Sequence, residues 1–103
     1  MKYFNLEKTT TDQTTLLSVG FADNPGSATD IMSDIQSYLS ENENDLKGSL
    51  LKVNGRISGA GAMLIAAELK NKFSAIALFD PKENQYVVVS SVGSEFSVGA
   101  MID

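Results

Sequence analysis

The chain has 103 residues, 43% of them hydrophobic and 20% charged, with a net charge of −5 and neither cysteine nor histidine. A chain this short supports one core, hence a single domain over residues 1–103, and its apolar share calls for a packed fold rather than disorder. The two missing residue types exclude disulfides, thiolate catalysis, zinc–thiolate sites and every histidine-based triad, while the acidic balance argues against non-specific binding of long nucleic acid, so no DNA partner is expected.

In chain order, YFNLEK and TTLLSVGF, separated by the polar TTTDQ, read as a β-hairpin, because Leu17, Val19 and Phe21 alternate with smaller or polar residues. ADNPGS is turn chemistry. Ser27 with Asp30 three residues later forms a variant of the capping box ahead of a helix over about 28–42. That helix carries Ile31, Ile35 and Leu39 on one stripe, with Asp30 and Asp34 on a solvated outer face. SLLKVNGRI has period two, which sends Leu51, Val53, Gly55 and Ile57 toward the helices and Lys52, Asn54 and Arg56 outward. A glycine-rich loop leads into a second helix over about 60–72, with Met63 and Leu64 in the core. SAIALF reads as a central strand, DPKEN as a turn, QYVVVSSV as an antiparallel return and FSVGAMID as an extended end.

The order β-β-α-β-α-β-β predicts an α+β domain, a ferredoxin-like two-layer sandwich with one mostly antiparallel sheet and two helices on one face. The longest apolar run, Ala60 to Ala67, falls far short of the roughly 20 residues a bilayer requires, and no signal peptide is recognisable; a cytoplasmic location is expected.

Residues 1–46 carry two bases against eight acids, whereas residues 47–103 carry six bases against five acids, so a phosphate site belongs in the second half. There the helix joining the third and fourth strands predicts a crossover between parallel neighbours, which gives their carboxyl ends a common rim. Arg56, Ser58, Gly59, the start of the second helix, Asp80 and Lys82 would then share one neighbourhood, where open sheets with such crossovers bind ligands. The loop is no Walker A motif, since Ala62 stands where the lysine belongs, and no dinucleotide fingerprint, since Leu64 replaces the third glycine. Two readings of Gly55, Gly59 and Gly61 therefore compete: close packing of the helix, or peptide nitrogens offered to an anion. Arg56 is either a bidentate phosphate grip or a solvated surface residue, and Asp80 either turn chemistry or a site carboxylate. Lys52 and Asn54 are either wet or part of the binding face. A metal on Asp80 could draw only on Glu68, Glu83 or Asp103 as further oxygen ligands.

Taken in order, LLKVNGRISG, the apolar helix, AIALFDPKENQYVVVSS and VGAMID resemble the small ring nucleases of type III CRISPR systems across about residues 48–103. Gly55 and Arg56 match the family's Gly-Arg pair, and Asp80 and Pro81 its Asp-Pro pair, while Lys82 stands where the family prefers arginine. The loop GRISG is about one residue longer than the family's. The histidines that the family carries in the helix and after the Val-rich strand are absent, with Met63 or Leu64 and Val92 near those places. The resemblance implies a ferredoxin-like homodimer, with two dimers assembling around cyclic tetra-adenylate and opening that ring to end antiviral signalling. It also implies activity on short RNA with Mn2+. Arg56, Asp80 and Lys82 would then be the catalytic set, and Lys52, Asn54, Gly55, Arg56, Ser58, Gly59 and Gly61 the ligand-binding set.

Overall fold

The computed structural model describes residues 4–21 and 27–103; Tyr3 of the expected first strand, the side chains of Phe4, Asn5 and Phe21 and the expected turn over 22–26 lie outside the described residues. The elements are β1 (Phe4–Thr11), β2 (Thr14–Phe21), α1 (Ala28–Glu41), β3 (Gly48–Gly55), α2 (Gly59–Leu69), β4 (Phe73–Asp80), β5 (Gln85–Ser91) and β6 (Met101–Ile102).

β1 extends through the threonines that read as part of the loop. Threonine is β-branched and suits a pleated strand, so Thr9, Thr10 and Thr11 pair with Leu16, Thr15 and Thr14, and the reversal shrinks to Asp12 and Gln13. Asp12 supplies a positive φ of 55°, which a two-residue hairpin turn demands. α1 starts at the capping box: the Ser27 hydroxyl accepts from the Asp30 amide at 3.1 Å, and Asp30 Oδ2 accepts from the Ser27 amide at 3.2 Å.

The strands form one six-stranded sheet in chain order. It is a mixed sheet: β2–β3 and β3–β4 are parallel, flanked by the antiparallel pairs β1–β2, β4–β5 and β5–β6. Short turns return a chain antiparallel, whereas a helical crossover carries it back to its starting end and lays the next strand parallel. Both crossovers step the same way across the sheet and share the right-handed sense of such units, which puts both helices on one face. There Leu17, Val19, Leu51, Val53 and Ile76 meet Ile35, Leu39, Ile65 and Leu69. Each such burial contributes about 1.5–3 kcal/mol before chain entropy is counted.

The opposite face holds a second buried cluster, Leu50, Ala75, Ala77, Tyr86 and Val88, against which Phe96, Ala100 and Ile102 pack. The tail is therefore folded rather than merely extended. The Val88 amide donates to the Ala100 carbonyl at 2.9 Å, the Gly99 amide donates to the Val88 carbonyl at 2.8 Å, and β6 continues the sheet. Lys52 and Asn54 point to this side and are half-buried.

One expected core residue is misplaced. Leu64 packs against the helix-side core, but Met63 is 75% exposed. Almost every position of α2 is apolar, so periodicity could not tell its inner side from its outer one. Among the described residues no helix is long and apolar enough to cross a membrane.

Candidate functional site

β3 and β4 lie side by side and parallel, paired from Gly48–Phe73 to Val53–Leu78. Gly55 and Asp80 each stand two residues past that last rung, so neighbouring strands roughly 4.8 Å apart end at one level. The chain leaving β3 turns through Arg56 and Ile57 into α2, and the chain leaving β4 turns through residues 81–84 into β5. Gly55, Arg56, Ser58, Gly59, Asp80 and Lys82 thus gather along the carboxyl edge of the two central strands.

Each residue has a local task that bears on what else it can do. Gly55 has φ 111°, and a Cβ there would collide with the Val19 carbonyl, which accepts from the Arg56 amide at 2.9 Å. Glycine at this position is a condition for β3 to close against β2 while Arg56 leaves the sheet. The Arg56 side chain is exposed, and among the described residues no hydrogen bond or ion pair engages its guanidinium. Ser58 caps α2: its hydroxyl accepts from the Gly61 amide at 3.1 Å, and its carbonyl from the Ala62 amide at 2.9 Å. Gly59 is exposed with open space around its α carbon, and its amide and that of Ala60 belong to the helix's first turn, where no carbonyl of the helix reaches back. Gly61 answers to packing instead. It is buried, and a Cβ would lie 3.1 Å from Ile57 and 3.2 Å from Ile35, so its missing side chain lets α1 approach α2.

Asp80 anchors the turn. Its Oδ1 accepts from the Lys82 amide at 2.9 Å and its carbonyl from the Asn84 amide at 2.8 Å, with Asn84 at φ 55°. Asp80 is half-buried and Lys82 is exposed.

Lys52 and Asn54 each have local contacts. Asn54 Oδ1 accepts from the Gly55 amide at 2.6 Å. Lys52 Nζ donates to the Asp103 backbone carbonyl and sits 5.0 Å over the Tyr86 ring, a cation–π contact, while that ring meets Phe79 edge-on at 5.3 Å.

Two further residues reach the edge. Gln85 pairs with Asp80 across β4 and β5, and its Nε2 donates to Asp103 Oδ1 at 3.3 Å. Gln85 was not singled out from the sequence, although the DPKEN turn carries the signal, since a strand returning at once must face the end of its partner. Asp103, which the sequence offers as a possible oxygen ligand beside Asp80 and as the end of VGAMID, follows the two-residue strand β6. Asp80 has one oxygen tied to the turn, and among the described residues no three His, Cys, Asp or Glu side chains converge. No protein-family model matches this chain, and no curated protein matches it either.

Proposed function

We propose that the carboxyl edge of β3 and β4 binds the phosphates of a cyclic oligoadenylate, cyclic tetra-adenylate first, and that the protein opens the ring as a phosphodiesterase that silences type III CRISPR signalling. The observation that carries this reading is the parallel adjacency of β3 and β4, which brings the Gly55–Arg56 pair, the open first turn of α2 and the Asp80–Lys82 turn to one level. Their order in the chain resembles the small ring nucleases, whose ferredoxin-like description, cytoplasmic setting and dimeric assembly belong to the same proposal.

With no histidine in the chain, the nucleophile is the ligand's own 2′-hydroxyl. It attacks the adjacent phosphorus as the bond to the 5′-oxygen breaks; the 2′-proton passes to solvent and the 5′-oxygen takes one up. A linear product with a 2′,3′-cyclic phosphate results. Arg56 and the Gly59 and Ala60 amides stabilise the phosphorane oxygens, Lys82 neutralises a neighbouring phosphate, and Asp80 holds the turn that carries Lys82. In-line positioning can remove about 7–11 kcal/mol of barrier and one preorganised donor roughly 3–4.

A second reading is a binding module without turnover, acting as a sensor, sponge or regulator on cyclic oligoadenylate or short RNA. The missing histidines and the tied oxygen of Asp80 favour it. Incubating the protein with labelled cyclic tetra- and hexa-adenylate, with and without Mn2+, while measuring retention and product, separates the readings. Linear product supports the first, retention of intact ring selects the second, and neither retention nor product removes both. Arg56→Ala is expected to weaken retention at least about tenfold, as befits loss of a charge-assisted pair of about 1.5–3 kcal/mol.

A further inference from the structure

Of the seven asparagines in the chain, one alone precedes a glycine: Asn54, followed by Gly55. Asparagine is among the thermolabile residues. The amide nitrogen of the following residue can close on its side-chain carbonyl carbon, and glycine, having no Cβ, hinders that approach least. A strand suppresses the reaction when it commits that nitrogen to a neighbouring strand's carbonyl. At Gly55 the commitment is to Asn54 itself. Pairing of β3 with β4 ends at Val53, and the Gly55 amide, past that rung, donates to Asn54 Oδ1 at 2.6 Å. The carboxamide carbon lies one C=O bond, about 1.2 Å, from that oxygen, so the nitrogen and the carbon it would attack are held near contact. Gly55 is exposed and carries φ 111°, so water reaches the peptide.

We propose that Asn54–Gly55 is a self-modification site, at which the folded chain turns its own carboxamide into a carboxylate one residue away from Arg56. The Gly55 nitrogen gives its proton to hydroxide and forms a bond to Asn54 Cγ. The bond from Cγ to Nδ2 then breaks, and the leaving nitrogen takes a proton from water and departs as ammonia. The five-membered imide that results takes up one water. Opening at the side-chain carbonyl gives aspartate; opening at the main-chain carbonyl gives isoaspartate, which adds a methylene to the backbone. One water enters and one ammonia leaves, with no oxidant, metal or partner. Either product adds a negative charge to the −5 of the new chain. Isoaspartate also lengthens the backbone just before Gly55, which must fit against Val19. Fresh and aged chains therefore differ in charge and shape at the end of β3. The chemistry holds whatever the β3–β4 edge binds.

The test ages the full chain at mildly alkaline pH, folded in buffer and, in parallel, unfolded in guanidinium chloride. The peptide spanning Asn54 is followed by mass spectrometry and by labelling with an isoaspartyl methyltransferase. The folded chain is expected to convert at Asn54 at least about tenfold faster than at any other asparagine, a small part of what held geometry gives an intramolecular attack. It is also expected to convert no more slowly than the unfolded chain, and faster as pH rises, because the amide anion is the nucleophile. Asn54→Gln, whose closure needs a six-membered imide, is expected to keep the circular dichroism spectrum and lose the label. An Asn54 that survives ageing as long as the other asparagines overturns the proposal. So does faster conversion in the unfolded chain, which would make the fold a protector, or a label that persists in Asn54→Gln, which would put the modification elsewhere. All readings are made without cyclic oligoadenylate, so failure of ring binding leaves them untouched.

Discussion

Gly55 and Gly59 sit four residues apart in one loop and face opposite demands. At Gly55 the φ of 111° and the approach of Val19 forbid a side chain; at Gly59 a Cβ would meet nothing within 4 Å. Gly55→Ala is therefore expected to cost about 1–3 kcal/mol, the strain of an L-residue forced into that region, or to push β3 off β2. Gly59→Ala is expected to be neutral or stabilising by up to roughly 1 kcal/mol, since alanine is the better helix former. Urea titrations of the two variants check the contrast, and equal stabilities would contradict the geometry assigned to Gly55. The sequence raised both glycines with the same weight, because a motif does not report φ. Only the neighbouring strand, supplied by residues more than thirty positions earlier, separates the glycine that shapes the sheet from the one that leaves a helix start bare.

The α2 element joins stability and binding through Ser58. Its hydroxyl holds the Gly61 amide, so Ser58→Ala is expected to cost about 1 kcal/mol through the lost cap. Aspartate caps as well as serine and suits the positive end of a helix, but it would set a negative charge where the proposal puts a phosphate. Ser58→Asp is thus expected to keep the melting temperature while reducing retention of cyclic tetra-adenylate at least about tenfold, the worth of roughly 1.4 kcal/mol. If stability and retention fell together, Ser58 would act only as a cap. At this scale much was legible: the Ser27 box, the amphipathic α1 and the parallel partnership of β3 and β4 follow from spacing and from the length of the intervening helix. The rest needed partners distant in sequence. Thr9–Thr11 became strand because β2 lay ready to pair with them, the 92–103 tail folded because Leu50 and Tyr86 offered it an apolar surface, and Met63 escaped the core because an all-apolar helix has no marked outer face.

The distribution of charge over the whole molecule makes salt act in two directions. The described chain measures 39 × 32 × 21 Å. The screening length is about 30 Å at 0.01 M and about 8 Å at 0.15 M ionic strength, so at low salt the excess acids of residues 1–46 repel one another across most of the fold, and at moderate salt only near neighbours interact. Raising NaCl through that range at fixed protein concentration is expected to raise the melting temperature, because the self-repulsion of a chain at −5 is screened. Retention of cyclic tetra-adenylate is expected to fall over the same range, since the attraction of Arg56 and Lys82 for its phosphates is screened alike, and Arg56→Ala should flatten that decline without altering the thermal trend. Opposite signs in one protein would separate a basic edge that works locally from an acidic chain that carries it. If retention held steady against salt, the ligand would be gripped by its bases rather than by charge, and the β3–β4 edge would lose its assigned role.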